Sequence, residues 1–403
     1  MVLTSGLKKI IGTKAFYKAA LAFAIPLILQ DTVSSFVNLL DNMMIGSLGT
    51  EQMSGVAIVN QFINLFTMCI YGGVAGANIF AAQYIGNNDN KNAQHAIRFN
   101  FIMVTCFSAL FIAVMYLFQD KLISAFLHIS SGKGDLQATL QYGKEYLKIM
   151  LWQVLPFALA TTYAMTLRLG KDSMTPMKAS FAALFTNLIF NYLLIFKLNL
   201  GISGAAMASS LAEFGAFIVL LLYMWVKIDK VKYGLKVVYD GKLLMKLLRL
   251  SVWSMLHAFI SVAPWFLFFV AIEHLGKTEL AISNITRSVS TVFFVIVNSF
   301  ASTTGSLVSN LIGAGVGKEL FPVCRKVLKL GYAVGLPLIG IALWSNQWVV
   351  GFYTNNDNLM RLAFYPFIVM LLNYAFALPG YVYVNAVTGT GKTKLAFIFQ
   401  LIT

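Results

Sequence analysis

Ten long apolar segments dominate this sequence and limit what the chain can fold into. Each is long enough to cross a membrane, because a spanning helix needs about 20 mostly apolar residues. Short polar connections separate them, and an eleventh apolar segment starts near Leu395. We therefore predict an all-α integral membrane protein with spans at about 20–45, 56–84, 99–118, 144–167, 177–196, 203–226, 250–273, 279–311, 328–349 and 362–387.

The composition excludes a soluble globular protein. Only 11% of the residues are charged and 59% are hydrophobic, whereas roughly a quarter of the residues in a soluble chain are charged. A net charge of +15 would suggest nucleic acid in a polar chain, but here most Lys and Arg residues fall in alternate connections between the spans. This placement follows the positive-inside rule and predicts a multi-pass protein of the cell membrane with a cytoplasmic N-terminus.

The sequence contains an internal repeat. LGTEQMSGVAIVNQF, which opens at Leu48, is matched by LGKTELAISNITRSV at Leu275, and the same shift of 227 residues carries AAQYIGNN onto VSNLIGAG. LRLGKDS and TGTGKTK form a further matched pair. Internal repeats are common in membrane proteins with many helices, and we predict two pseudo-symmetric copies of one six-helix bundle.

A connection rich in Lys and Arg separates the two copies. We therefore predict an N-terminal six-helix bundle at 1–228, a basic cytoplasmic linker at 229–249 and a C-terminal bundle at 250–403. If both copies share one unit length, the second bundle is incomplete. We expect the sequence to be a fragment of a longer protein, rather than a protein that works without its last helices.

The first span carries two carboxylates, Asp31 and Asp41. An ionised carboxylate near the bilayer centre costs about 2.5–3.5 kcal/mol, so one that is retained there is a candidate functional group. Spacings of three and four residues create a polar stripe along one side of the helix, formed by Asp31, Ser34, Asn38 and Asp41. The alternative is that Asp41 lies at the water interface, shortly before Gly46.

Polar side chains lie at a matching depth in two further spans. The fifth span contains Asn187 and Asn191, and the sixth contains Ser209 and Glu213 on one face. We predict that Asn187, Asn191 and Ser209 share a pocket with Asp41. Hard oxygen ligands suit a proton or a small cation such as sodium, so no transition-metal site is predicted. The alternative is that these amides and hydroxyls only join helices by hydrogen bonds.

The second copy has fewer charged groups than the first. Its predicted spans contain no Asp or Glu away from their ends, and Arg287 could either neutralise a carboxylate or bind an anion. Together with Asp31, Asn38 and Glu213 it forms a set of secondary candidates. GTGKT lacks the first glycine of a P-loop, and no catalytic cluster occurs. We expect no enzyme activity and no organic cofactor.

Five segments that follow one another along the chain carry a family resemblance. They are AIPLILQDTVSSFVNLLDNMMIGSLG, GGVAGANIFAAQYIGNND, LRLGKDSMTP, TNLIFNYLLIF and LGISGAAMASS. In this order they resemble segments of the multidrug and toxic compound extrusion (MATE) transporters, over nearly the whole chain. The resemblance implies twelve helices in two bundles that face a central cavity, and export of drugs in exchange for protons or sodium.

The resemblance also implies roles for single residues. Asp41 corresponds to the coupling carboxylate of the family, Asn187 to its polar partner in the fifth helix, and Pro26 to the proline at which the first helix bends. Asn191 stands where many relatives have an aspartate, which weakens the case for a site with two carboxylates. The seventh helix lacks the glutamate of other branches, which favours coupling through the N-terminal bundle.

Two functions remain open at this point. The first is antiport of small organic, often cationic, compounds against H⁺ or Na⁺. The second is a flippase for a lipid-linked saccharide of the same superfamily, which would need several basic residues around a pyrophosphate, and only Arg287 qualifies. A buried carboxylate favours antiport. We expect a monomer in the lipid bilayer that binds small organic substrates and no nucleic acid.

Overall fold

The protein is built from long helices. The computed structural model describes residues 14–46, 48–129, 136–170, 172–227, 241–273, 277–345, 348 and 357–402. Within these residues the chain forms eleven α-helices, which are α1 (Lys14–Gly46), α2 (Thr50–Gly86), α3 (Asn90–Ile129), α4 (Leu136–Leu169), α5 (Met174–Asn191), α6 (Gly201–Lys227), α7 (Gly241–Glu273), α8 (Lys277–Gly313), α9 (Leu320–Trp344), α10 (Asp357–Gly389) and α11 (Thr393–Ile402).

The predicted spans are confirmed. Among the described residues, ten helices are long and apolar enough to cross a membrane, and α11 corresponds to the eleventh apolar segment. The helices extend beyond the segments that predicted them; α3, for example, covers Asn90–Ile129 where the sequence indicates 99–118. Hydrophobic residues indicate which part of a helix lies in the hydrocarbon core. They do not indicate where the helix ends, because its first and last turns are polar. The protein is an all-α membrane protein.

Tertiary contacts divide the chain into two compact units. The N-terminal unit contains Leu29–Ala81 and Asn90–Met255, and the C-terminal unit contains Met1–Ile28, Ala82–Asp89 and Leu256–Thr403. The boundaries fall within α1 and α7 and near the end of α2, which differs from the division expected from the sequence. Apolar segments indicate where a span lies, but they do not indicate which neighbours it packs against.

The second half of the predicted linker at 229–249 is helical. α7 begins at Gly241, and residues 228–240 lie outside the described part of the chain. The Lys246 ammonium group lies 4.3 Å from the centre of the Phe80 ring. This cation–π contact stabilises the packing of the first turns of α7 against α2 within the N-terminal unit.

A tight hairpin between α5 and α6 positions the polar residues predicted in these helices. α5 passes at Asn191 directly into a π-helical turn, Tyr192–Lys197. Gly201 then begins α6 with a φ of +56°, a conformation that favours glycine. A Cβ on Gly204 would lie 2.9 Å from the Leu194 backbone. The two helices therefore approach each other as closely as a glycine allows.

Asp172 fixes the opposite end of α5. Its Oδ1 accepts a hydrogen bond from the Thr175 backbone N–H at 3.0 Å, and its Oδ2 accepts from Thr175 Oγ1 at 2.7 Å and from the Tyr223 hydroxyl at 2.9 Å. Burial acts to raise the pKa of Asp172, but these hydrogen bonds outweigh it and hold the pKa below its ordinary value. The ionised carboxylate joins the start of α5 to α6.

In the C-terminal unit, two glycines related by the repeat form a reciprocal contact. A Cβ on Gly86 would lie 2.5 Å from the Asn310 carbonyl oxygen, and a Cβ on Gly313 would overlap the Gln83 carbonyl oxygen. The shift of 227 residues relates Gly86 to Gly313 and Gln83 to Asn310. The contact between α8 and the end of α2 is therefore symmetric, as expected for a duplicated sequence.

We predict that Gly313→Ala destabilises the protein by about 1–3 kcal/mol, because the added methyl group meets backbone that cannot rotate away. Gly340→Ala is the matched control, since nothing lies within 4 Å of a Cβ at this position in α9. Thermal unfolding of the purified protein in detergent measures both effects. Equal melting temperatures for the two variants would contradict the close contact between Gly313 and Gln83.

Candidate functional site

Asp41, in α1, is the centre of a polar cluster in the N-terminal unit. Its side chain is half-buried. The Asn191 amide donates a hydrogen bond to Asp41 Oδ1 at 2.5 Å, and the Ser209 hydroxyl donates one to Asp41 Oδ2 at 3.4 Å. Each carboxylate oxygen therefore has a neutral donor, which lowers the cost of holding a negative charge in a half-buried site.

Asn187 completes this cluster. Its amide nitrogen donates to Ser209 Oγ at 3.2 Å, and its amide oxygen accepts a second hydrogen bond from Asn191 at 3.0 Å. Asn187 and Asn191 lie on one face of α5 because they are four residues apart, and they are only 2% and 1% exposed. We call the closed set of hydrogen bonds among Asp41, Asn187, Asn191 and Ser209 the Asp41 ring.

The Asp41 ring has the chemistry of a site for a proton or a sodium ion. Its side chains contribute carboxylate, amide and hydroxyl oxygens, which are the ligands that hard cations prefer. Asn191 Oδ1 is buried without a hydrogen-bond donor. A buried carbonyl oxygen with no partner is costly, and a proton on Asp41 or a bound sodium ion would supply that partner.

Tyr146, which no sequence pattern indicates, lies beside the Asp41 ring. This α4 side chain is 3% exposed, is hydrogen-bonded with Asn60, and is close enough to Asp41 to interact with its charge. No pattern in the sequence distinguishes Tyr146 from the other 16 tyrosines of a chain that contains 17.

Three of the predicted residues are not members of the Asp41 ring. Asn38 is exposed on α1, and Arg287 is exposed on α8 in the C-terminal unit. Pro26 is buried within α1, which continues as a helix from Lys14–Gly46. Of the polar stripe predicted along α1, Asp41 belongs to the ring, whereas Ser34 lines a cavity.

Asp31 and Glu213 belong to a second polar site in the N-terminal unit. Glu213 shares a face of α6 with Ser209, but it lines a separate cavity of about 90 Å³, which we call the Glu213 cavity. Side chains from α1, α2, α4, α5 and α6 surround it, among them Gln30, Tyr71, Arg168 and Glu213. Asp31 lies close enough to interact with the charge of Arg168.

Arg168 is a second residue that sequence analysis did not identify. It lies one residue before the end of α4, where a basic residue resembles part of a cytoplasmic connection. In the structure its Nη2 instead donates a hydrogen bond to Gln30 Oε1 at 2.6 Å. One signal was available: in the matched pair LRLGKDS and TGTGKTK, Arg168 corresponds to Gly389, so the two copies differ in charge at this position.

Comparison with known proteins agrees with the repeat and with the fold. The MatE family model matches residues 26–193 and 254–403, one match in each copy. The chain is 22% identical over 393 residues to the "Probable multidrug resistance protein NorM" of Thermotoga maritima, covering 96% of this chain and 82% of that protein. It is 24% identical over 344 residues to the "Multidrug and toxin extrusion protein 1" of Mus musculus, covering 78% of this chain and 57% of the mouse protein.

A solved structure has the same fold. It is the outward-facing conformation of a multidrug resistance MATE family transporter of the MOP superfamily, with a TM-score of 0.87, 19% sequence identity, and coverage of 96% of this chain and 85% of that chain. The family match extends over most of the chain in two parts. The chain therefore belongs to the MatE family, whose members are multi-pass membrane transporters and not enzymes.

Proposed function

We propose that the protein is an antiporter that exports small organic, often cationic, compounds in exchange for H⁺ or Na⁺. The observation that carries this proposal is the Asp41 ring, in which a half-buried carboxylate of α1 is held, among the described residues, by neutral side chains. Such a carboxylate can take up and release a cation without first breaking an ion pair. The names of the relatives, a multidrug resistance protein and a multidrug and toxin extrusion protein, support the substrate class.

Coupling follows from the hydrogen bonds of the ring. When Asp41 is ionised, it accepts hydrogen bonds from Asn191 and Ser209. Protonation removes its charge and turns one of its oxygens into a donor, which weakens the hydrogen bond from the Asn191 amide and offers a donor to Asn191 Oδ1, and α1 then repacks against α5. A sodium ion would have the same effect by drawing the Asn191 and Asn187 amide oxygens towards the carboxylate. Substrate then leaves as the coupling ion enters.

The wider transport cycle is proposed from the same elements. Pro26 removes one backbone hydrogen bond from α1, and we assign it as the hinge at which the helix bends during repacking. The two bundles rock about the basic connection that joins them. Lys14 and Lys18 precede the first span, so the N-terminus lies in the cytoplasm of the cell. One copy of the chain contains the whole Asp41 ring, so a monomer suffices.

The flippase alternative is less consistent with the charges of the N-terminal unit. A pyrophosphate carries several negative charges, and binding it would need several basic side chains. Among the side chains that line the Glu213 cavity, Arg168 is the one basic group, and Glu213 lies in the same cavity. Asp31 adds a second carboxylate next to Arg168. The site suits a cation better than an anionic lipid head group.

We predict that Asp41→Asn abolishes gradient-driven export and leaves the amount of folded protein unchanged or higher. Asparagine keeps the shape of the side chain but cannot exchange a proton or pair with sodium, and the cost of burying a charge disappears. Export of a fluorescent organic cation from reconstituted vesicles, with an imposed pH or sodium gradient, measures the effect. The gradient that drives export by the wild-type protein identifies the coupling ion.

Asp120→Asn is the control for this experiment, because Asp120 is a largely exposed residue paired with Lys144. It should export at the wild-type rate. Normal export by Asp41→Asn, combined with loss of export in Asp31→Asn or Glu213→Gln, would move the coupling site to another carboxylate of the same unit.

A third prediction ranks the partners of Asp41. Asn191→Ala should change the apparent affinity for the coupling ion by about tenfold or more, because a hydrogen bond to a charged group contributes about 1.5–3 kcal/mol. The donor stabilises the ionised carboxylate, so its loss should strengthen apparent proton affinity, whereas sodium affinity should weaken because an amide oxygen ligand is lost. Ser209→Ala should have a smaller effect, because its bond to Asp41 is longer, 3.4 Å against 2.5 Å. Initial export rates measured against coupling-ion concentration test the order. A larger effect for Ser209→Ala would contradict it.

A further inference from the structure

A shallow groove lies between the first turns of α3 and the first turns of α7. His95, Arg98, Phe99 and Ile102 of α3 line one wall, and three leucines of α7 line the other. All of these residues belong to the N-terminal unit. None of them is a member of the Asp41 ring or lines the Glu213 cavity. The groove is therefore a separate surface feature that the proposed transport cycle does not use.

Helix α2 holds the two walls of the groove in position. The Asn100 amide of α3 donates a hydrogen bond to Asn78 Oδ1 of α2 at 2.8 Å. Helix α7 packs closely on α2 as well, because a Cβ on Gly76 would lie 2.8 Å from the Ser251 Cα. Both contacts lie close to the groove along α3 and α7, so the groove has a defined shape before any ligand binds.

The groove is polar near the helix starts and apolar further along the spans. Arg98 and His95 are three residues apart on one face of α3, and Ile102 lies one turn further along the same face. Ile102 is 44% exposed. On α7, Leu243 and Leu247 are four residues apart and form an apolar wall. A charged group followed by an apolar surface matches the order of a lipid head group and its acyl chain.

Positive charge is in excess at the starts of both helices. The stretches 89–98 and 240–249 contain two carboxylates, Asp89 and Asp240, against five basic residues, which are Lys91, Arg98, Lys242, Lys246 and Arg249. A local excess of positive charge attracts anions. A guanidinium group also binds phosphate through two parallel hydrogen bonds. The charge of this end of the N-terminal unit therefore complements a phosphate group, and Arg98 is the basic side chain of the groove with the matching geometry.

The size of the groove distinguishes a lipid from a soluble ligand. Its enclosed space is about 30 Å³, which has room for one or two water-sized groups. Two phosphate oxygens fit this space, whereas the rest of a ligand must lie outside it along the helices. Among the ten spans of the described residues, those of α3 and α7 are the least buried, and exposed apolar helix surface in a membrane contacts lipid. A ligand that reaches both the groove and this surface is a phospholipid.

We propose that the groove binds one anionic phospholipid, with its phosphate at Arg98 and His95 and an acyl chain against Ile102 and Leu244. By the positive-inside rule the starts of α3 and α7 face the cytoplasm, where the membrane surface carries anionic lipids. The bound lipid contacts both walls and so stabilises the packing of α7 beside α3. This inference goes beyond the proposed antiport function and does not depend on the coupling ion.

Native mass spectrometry of the purified protein in a neutral detergent tests the proposal. The probes are phosphatidylglycerol and phosphatidylcholine with identical acyl chains. The wild type should bind phosphatidylglycerol about tenfold more tightly, because a hydrogen bond between charged groups is stronger than a neutral one. Arg98→Gln should bind the two lipids within about twofold of each other. Arg361→Gln, which changes an exposed arginine of α10, is the matched control and should keep the wild-type preference.

Two outcomes of this experiment would overturn the proposal. One is a tenfold preference for phosphatidylglycerol that remains in Arg98→Gln, and the other is an equal loss of preference in Arg361→Gln. A third arm separates the lipid from its soluble head group. Free glycerol phosphate at about a hundredfold excess should leave phosphatidylglycerol bound, because it has no chain to contact Ile102. Displacement of the lipid by glycerol phosphate at comparable concentration would identify a site for a soluble anion instead.

Ile102→Asn tests the apolar part of the groove and leaves its charge unchanged. It should weaken the binding of both lipids by about fivefold, because apolar contact with the chain is lost, and it should not change their ratio. Unchanged affinities for both lipids would contradict the placement of the chain.

The melting temperature in detergent gives a readout that needs no change at Arg98. Phosphatidylglycerol should raise the melting temperature of the wild type more than phosphatidylcholine does, because a ligand of the folded state stabilises it. The difference should shrink when the salt concentration rises from about 0.1 to about 1 M, since salt screens the attraction between exposed charges. A difference that does not depend on salt, or no difference at low salt, would refute an electrostatic head-group site.

Discussion

A half-buried carboxylate loses much of its solvent, so the protein itself must help to solvate Asp41. Asn191 and Ser209 supply the donors, and Asn187 holds both of them in position. The surrounding structure holds these side chains in place. The π-helical turn directly after Asn191 and the close approach at Gly204 keep α5 and α6 in a fixed register, and the Asp172 carboxylate fixes the other end of α5.

Three carboxylates of the N-terminal unit, those of Asp41, Asp31 and Glu213, have different environments. Asp41 is surrounded by neutral donors, Asp31 is balanced by the nearby Arg168 guanidinium, and Glu213 has no partner among the described residues. These environments separate their chemical roles. A carboxylate with neutral donors can exchange a small cation, a carboxylate near a guanidinium group is partly compensated, and a carboxylate without a hydrogen-bond or ion-pair partner is the most costly to keep ionised.

Much of this structure could be predicted from the sequence, because two simple constraints act on it. The thickness of the bilayer fixes the length of an apolar span, and this length predicts the ten spanning helices found among the described residues. The periodicity of a helix places Asn187 and Asn191 on one face. Counting residues from the end of each span predicts that they lie at the same depth as Asp41. Both arguments depend only on the spacing of residues along a single helix, and this spacing can be counted in the sequence.

Features that depend on contacts between helices could not be predicted in the same way. Arg168 resembles a connection residue because it lies near the end of α4, and only the packing of Gln30 shows that it turns inward. Glu213 shares a helix face with Ser209, yet it faces a different cavity. The division of α1 and α7 between the two units has no local signal, since it depends on which neighbours each half contacts.

The most direct test of the role of Asp41 is infrared difference spectroscopy of the reconstituted protein, recorded on lowering the pH and, separately, on adding sodium. If Asp41 is the coupling group, one of the two treatments changes a carboxyl band, through a new C=O stretch for the proton or a shifted carboxylate stretch for sodium. That band should be absent from Asp41→Asn and retained in Asp120→Asn. Identical difference spectra for the wild type and Asp41→Asn would show that another group binds the coupling ion.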